Sequence, residues 1–328
     1  MTPDSSKRCR RRFSFYSQSV LLAINANLQE EGNTTSWFTR LFATCCWPLF
    51  LFAEGGLAYE IMLQCGILGA GHLPVIFALV FFFNLGCTYL MAVFHDDVEP
   101  VFPYISASGD HRPESCFFSL LLNITSCLSM LVIYIRYQLI ESLIRDSDQQ
   151  ISNLNFVSLI LGLLGGFGMM VVANFQETAV IMVHLIAACI CFGSGCLYMV
   201  VQSYITIKMY PLYTNKRIGY IRTAITAVST ISFITAITFG KLAANKYHEY
   251  YPDLPTPRPW NRRMWMPGYN LHVISAIFEW IMAISHILFV LSYSRDFEKI
   301  RVECSAAMLV NHLDHSPIFH RSQEELSQ

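Results

Sequence analysis

Four ionisable side chains interrupt stretches that are otherwise apolar: His184, His272, Glu279 and His286. Heptad spacing places His272, Glu279 and His286 on nearly one helical face, because seven residues fall about 20° short of two full turns. A carboxylate inside an apolar helix is costly, so Glu279 is expected to face a helix bundle and find a partner or take up a proton. His184, in a different apolar stretch, is the candidate partner. Two readings stay open. One is an intramembrane polar site for a proton, ion or lipid headgroup; the other is an interhelical hydrogen bond that fixes packing.

A second set of residues sits in the links. Glu99-Pro-Val-Phe-Pro103-Tyr104-Ile-Ser106 is followed by Gly109 and by Pro113-Glu114-Ser115. Pro and Gly exclude a helix there and predict a compact, ordered loop. Asn174-Phe-Gln176-Glu177 is a very short link whose polar groups can cap two helix ends and tie a hairpin. Surface binding is its second reading. The chain has no G-x-S-x-G, no P-loop, no H-E-x-x-H and no paired-cysteine zinc signature. No catalytic residue, metal site or cofactor is therefore expected, and an enzyme using His184, Glu279 and nearby acids ranks third.

The elements that must carry these residues follow from composition. Of 328 residues, 54% are apolar and only 14% charged, against about a quarter charged in a soluble domain. Lys plus Arg is 22 against 23 acids, so no basic surplus exists for a nucleic-acid backbone. Six stretches are long and apolar enough to cross a bilayer: 73–94, 116–135, 154–173, 179–201, 223–240 and 271–292. The fifth, short and rich in Thr and Ser, is the weakest. No porin-like alternation appears, so the spanning elements are helices. The expected fold is all-α: a polytopic six-helix transmembrane bundle over 73–293. An N-terminal extension, 1–72, precedes it, and a cytosolic C-terminal tail, 294–328, follows. Within 1–72, the 41–68 segment is weighed as a seventh span, and the basic cluster at 7–12 reads as a cytosolic tail near anionic lipid. Gly162 and Gly166, with Ser158, and Ala187, Cys191 and Gly195 form small-residue ridges that let helices approach closely.

Orientation rests on basic residues. Six spans with a cytosolic N-terminus put sixteen Lys and Arg on the cytosolic side and six on the other. The basic 241–269 loop runs against that assignment.

The order of the motifs carries a resemblance. Glu99-Pro-Val-Phe-Pro-Tyr-Ile-Ser106, Pro-Glu-Ser115 and Ile-Tyr-Ile-Arg-Tyr137 come first. Asn155-Phe-Val-Ser-Leu159, Val-Ala-Asn-Phe-Gln-Glu177, His272-Val-Ile-Ser-Ala-Ile-Phe-Glu-Trp280 and Arg295-Asp-Phe297 follow. Over roughly 73–302 this set resembles the DRAM family, the damage-regulated autophagy modulators. The resemblance implies a six-span protein of lysosomal or other endomembranes that promotes autophagy, with links to stress-induced cell death, and it implies no enzyme. Membrane lipids and unidentified membrane or autophagy proteins are the expected partners, and nucleic acid is not. A transporter or lipid-handling protein is the alternative function, and the plasma membrane the alternative location. Two short signals bear on these expectations. Tyr137-Gln-Leu-Ile140 has the tyrosine-x-x-bulky form of an endolysosomal sorting signal, although Tyr137 also reads as an interfacial anchor. Asp296-Phe297-Glu-Lys-Ile300 has the form of a peptide that binds an autophagy modifier by strand addition.

Overall fold

The structure, a computed structural model, describes residues 70–144, 148–257 and 261–300. The basic cluster at 7–12, the 41–68 segment and the tail beyond 300 lie outside the described residues. The described residues form eight helices: α1 His72–Phe94, α2 Ile105–Ser108, α3 Glu114–Ile144, α4 Gln149–Asn174, α5 Ile181–Lys208, α6 Lys216–Tyr250, α7 Tyr269–Leu291 and α8 Ser294–Phe297. The six long ones have the length and composition to cross a membrane. Each packs on the next in sequence, and α7 returns to α1, closing a ring.

Side-chain capping explains two of the starts. Asp148 accepts from the backbone N–H of Gln150 and Ile151 at 3.0 and 3.1 Å, opening α4, and Asn215 accepts from Arg217, opening α6. Each supplies an acceptor to N–H groups that have no partner inside the helix.

The fifth span differs most from its expected form, running well past both ends of 223–240. Its hydroxyls explain why a Thr-rich segment crosses. Thr223, Thr226, Thr235 and Thr238 each donate to a carbonyl one turn back, at 2.7–2.9 Å. Their polarity is thus satisfied within the helix and does not shorten it.

The 95–113 link corrects a second expectation, because it holds the one-turn helix α2. Pro103 and Gly109 bound the segment, and four of the five residues between them coil, with Tyr104 as the cap. Residues 294–297, assigned to the tail by sequence, also belong to the bundle. Ser294 donates to Gly71 O at 2.8 Å, and Phe297 is fully buried, stacked on Tyr293.

Small residues bring α4 and α5 close together. A Cβ on Gly168 of α4 would lie 2.8 Å from Cys191 N and 3.0 Å from Ala187 O on α5. Only hydrogen fits between those two backbones. The ridge of Ala187 and Cys191 is met here, two residues beyond Gly166.

Candidate functional site

The ring encloses a cavity of about 570 Å³ to which all six long helices contribute, within the ~300–1,000 Å³ span of ligand sites. Most of its lining is apolar, including Phe81, Ile133, Met169, Phe233 and Phe289. Polar residues gather where the 95–113, 175–180 and 251–268 links meet: Tyr104, Ser106, Glu177, His184, Arg262, His272 and Glu279. His286 lies deeper. The heptad face of α7 therefore turns inward, with all three of its ionisable residues on the cavity.

The Pro103–Ser108 segment forms the mouth. Trp280 Nε1 donates to Pro103 O at 2.9 Å, and Tyr104 OH donates to Ser275 Oγ at 2.8 Å. The Tyr104 ring stands edge-on to His272, with centroids 4.4 Å apart. Glu279 accepts from the Ile105 backbone N–H at the start of α2, while its Oε2 has no hydrogen-bond partner. Burial pushes the Tyr104 phenol up to about 12, so it remains a neutral donor.

The expected pairing of His184 with Glu279 is not formed. His184 Nδ1 bonds Phe175 O at 2.7 Å, and the carboxylate it interacts with electrostatically is Glu177. The reason is local. The short α4–α5 link folds its carbonyls back over the first turn of α5, within reach of His184. Glu177 accepts from Ser106 Oγ at 3.4 Å, and burial raises its pKa. Asp110 anchors the same link, accepting from Thr178 N–H at 3.0 Å and its hydroxyl at 2.6 Å. Asn174 donates to Met170 O and exchanges amide bonds with Asn123 at 3.0–3.1 Å. Gln176 O accepts from Ala179 and Val180 N–H. Asn174 thus links α4 to α3 rather than to α5, and Gln176 enters the turn before α5 through its backbone carbonyl.

Arg262 was not singled out from sequence. It comes from the basic loop that runs against the charge asymmetry, and it lies against the mouth near Glu177 and Tyr104. Desolvation lowers its pKa, and those two neighbours raise it. Nothing in its local sequence marks it, because the loop acquires its meaning only by folding over the bundle.

A second polar cluster lies on the opposite face. Arg136 and Arg222, counted as loop charges from sequence, are inside α3 and α6, with side chains 2% and 0% exposed. Both bond Asp296 Oδ2, at 2.9 and 2.7 Å. Arg136 also donates to Gln202, and Arg222 to Thr206 and Ser292. The Tyr293 ring lies 4.9 and 4.6 Å from the two guanidinium carbons, a cation–π distance. Ile140 is fully buried nearby in α3, so the Tyr137–Ile140 segment is helical with its bulky residue inside, not extended for an adaptor. Phe297 is buried too, which withholds the 296–300 segment from strand addition.

Sequence reading expects no metal site, yet the fold brings His95, Asp97 and Glu114 together, with a ligand atom of each within 4.8 Å of the others. Glu114, singled out as part of a loop motif, is the first residue of α3 and fully buried.

Residues 69–300 match the Frag1 family, described as the Frag1/DRAM/Sfk1/Cwh43P N-terminal domain. The chain is similar to DNA damage-regulated autophagy modulator protein 2 of Bos taurus, 36% identical over 221 residues, covering 67% of this chain and 81% of that protein. It is similar to DNA damage-regulated autophagy modulator protein 1 of Homo sapiens, at 35% over 218 residues, 66% of this chain and 87% of that protein. Modulator of macroautophagy TMEM150B of Danio rerio is 36% identical over 146 residues, 44% of this chain and 61% of that protein. These names describe modulators and name no reaction. No solved structure matches the chain.

Proposed function

The chain belongs to the Frag1/DRAM/Sfk1/Cwh43P family, and from that premise we propose that it is a multi-pass membrane modulator of autophagy. It acts without catalysis, from a lysosomal or related endomembrane, by holding an amphipathic lipid in its central cavity. One observation carries the lipid reading: a cavity with mostly apolar walls ends in a cluster of hydrogen-bonding groups, one of which, Glu279 Oε2, is buried without a partner. Such a shape suits acyl carbon along the bundle and a headgroup at the Tyr104–Glu177–Arg262 mouth. Buried polar atoms without partners are costly, and a ligand that pairs them recovers that cost.

The test pairs binding with flux. Lipids retained after mild-detergent purification are identified by mass spectrometry for wild type, Glu279→Gln and the cavity-filling Ala236→Phe. Both variants should stay monodisperse, carry less of the retained lipid, and stimulate autophagic flux less when overproduced. Flux is measured with and without blocked lysosomal degradation, so that stalled clearance is not counted as stimulation. A variant that loses the lipid but keeps full stimulation overturns the lipid role. Residence at the plasma membrane with unchanged flux overturns the autophagy role and favours a lipid handler or transporter.

A further inference from the structure

The clearest unassigned chemistry lies outside the cavity, where α1 ends and α3 begins. α1 closes with His95 N–H bonded to Met91 O at 3.0 Å. The chain then reverses through Asp96, which adopts φ 58°, a left-handed conformation that Asp tolerates better than most residues. That reversal returns Asp97 over the helix end, its N–H on Ala92 O at 2.9 Å, beside His95. Glu114 arrives from the other direction as the first residue of α3. Its Oε1 contacts His95 Nδ1, and its Oε2 is buried with no partner. His111 Nδ1 lies 3.1 Å from Asp97 Oδ2.

The geometry points to a divalent transition-metal site of the zinc type, held by His95, Asp97 and Glu114. One imidazole and two carboxylates form a three-ligand donor set suited to Zn²⁺ and its first-row neighbours, with a position left for water, whereas Ca²⁺ and Mg²⁺ take oxygen ligands. The fully buried Glu114, with one oxygen unpaired, is the second observation. At 0% exposure, that oxygen has no partner, and a bound ion beside it would supply one. The inference is independent of the lipid reading. Its consequence is mechanical: the ion would clasp α1 to α3 and fix both ends of the link that carries Pro103–Ser108 into the cavity mouth.

The full chain, purified in detergent and stripped with chelator, is titrated with ZnCl₂ by calorimetry, and bound metal is counted by elemental analysis. The expected result is one zinc per chain. Affinity should fall at least about tenfold in His95→Gln and in Asp97→Asn. It should be unchanged in His248→Gln, which alters a histidine outside the cluster. It should also weaken on acidification, because protons compete with the metal for its ligands. X-ray absorption of the zinc-loaded wild type gives a readout that needs no variant. A shell of nitrogen and oxygen with imidazole scattering supports the site; sulfur scattering assigns the metal to cysteines and overturns it. Absence of stoichiometric binding, or retention of wild-type affinity in both ligand variants, also overturns it.

Discussion

Two buried polar clusters at opposite ends of the described bundle meet the same problem differently. At the face that holds α8, Arg136, Arg222 and Asp296 form a dense network in which helices α3, α5 and α6, the end of α7, and α8 all supply partners, with Arg136 Nη2 left unpaired. At the other face, Glu177, Glu279, His184 and Arg262 border empty volume, and one carboxylate oxygen of Glu279 is left without a partner. The first arrangement is what a structural clamp needs, since desolvated charge is tolerated when surrounded by complementary groups. The second is what a binding site needs, since unpaired groups beside a cavity retain capacity for a ligand. Each cluster leaves one buried atom unpaired, so what separates them is the cavity that borders Glu279 and does not reach Arg136, Arg222 or Asp296.

That contrast is easiest to break at Asp296. Asp296→Ala removes the one carboxylate shared by both arginines, and losing one partner of a buried ion pair costs roughly 3–5 kcal/mol. Asp296 keeps 23% side-chain exposure, so the low end, about 3 kcal/mol, is expected. Thermal or denaturant unfolding in detergent should show a large loss of stability. A change below about 1 kcal/mol would deny the cluster its clamping role.

Arg136→Met sharpens the same comparison with a smaller effect. It leaves Arg222 and Asp296 as a neutral pair and removes a like charge, while the methionine replaces the apolar stem. A loss under about 2 kcal/mol is expected, distinctly less than for Asp296→Ala. Equal losses would mean that each hydrogen bond of Arg136, rather than the shared carboxylate, holds the face together.

The smallest effect belongs to the cavity mouth. Desolvation raises the folded-state pKa of Glu177 above its ordinary 4.5. A raised pKa means that the folded state holds the proton more tightly than the unfolded chain does. Stability from this group is therefore fully present below 4.5 and is lost as pH rises through the raised value. His184 and Arg262 oppose the shift and Asp110 adds to it, so the dependence is shared. Glu177→Gln should be as stable as wild type or slightly more so near neutrality, and its melting temperature should respond less to acidification from about pH 7.5 to about pH 5. A variant destabilised at neutral pH with an unchanged pH response would show that charged Glu177 is a net stabiliser, like Asp296.

The sequence by itself determined the membrane class, the six spans and the inward face of α7. Apolar length, charge depletion and heptad spacing are local properties, and a bilayer leaves the helix as the one way to satisfy the backbone. It also marked Pro103, Tyr104, Ser106, Glu114 and Glu177 as loop residues, but not what they would meet. Pairing was decided by tertiary structure. His184 turned to the carbonyl of Phe175 and the charge of Glu177 because the α4–α5 link folds over it, leaving Glu279 to the N–H of Ile105. Arg136 and Arg222 look like cytosolic loop charges in one dimension. Only the return of α8 over the helix ends supplies the carboxylate that lets both be buried. His95, Asp97 and Glu114 lie 19 residues apart from first to last, and their meeting depends on a chain reversal at Asp96 that no spacing rule foretells. Periodicity reports which face of a helix is wet or dry; which groups meet across that face depends on how the helices and their links close around each other.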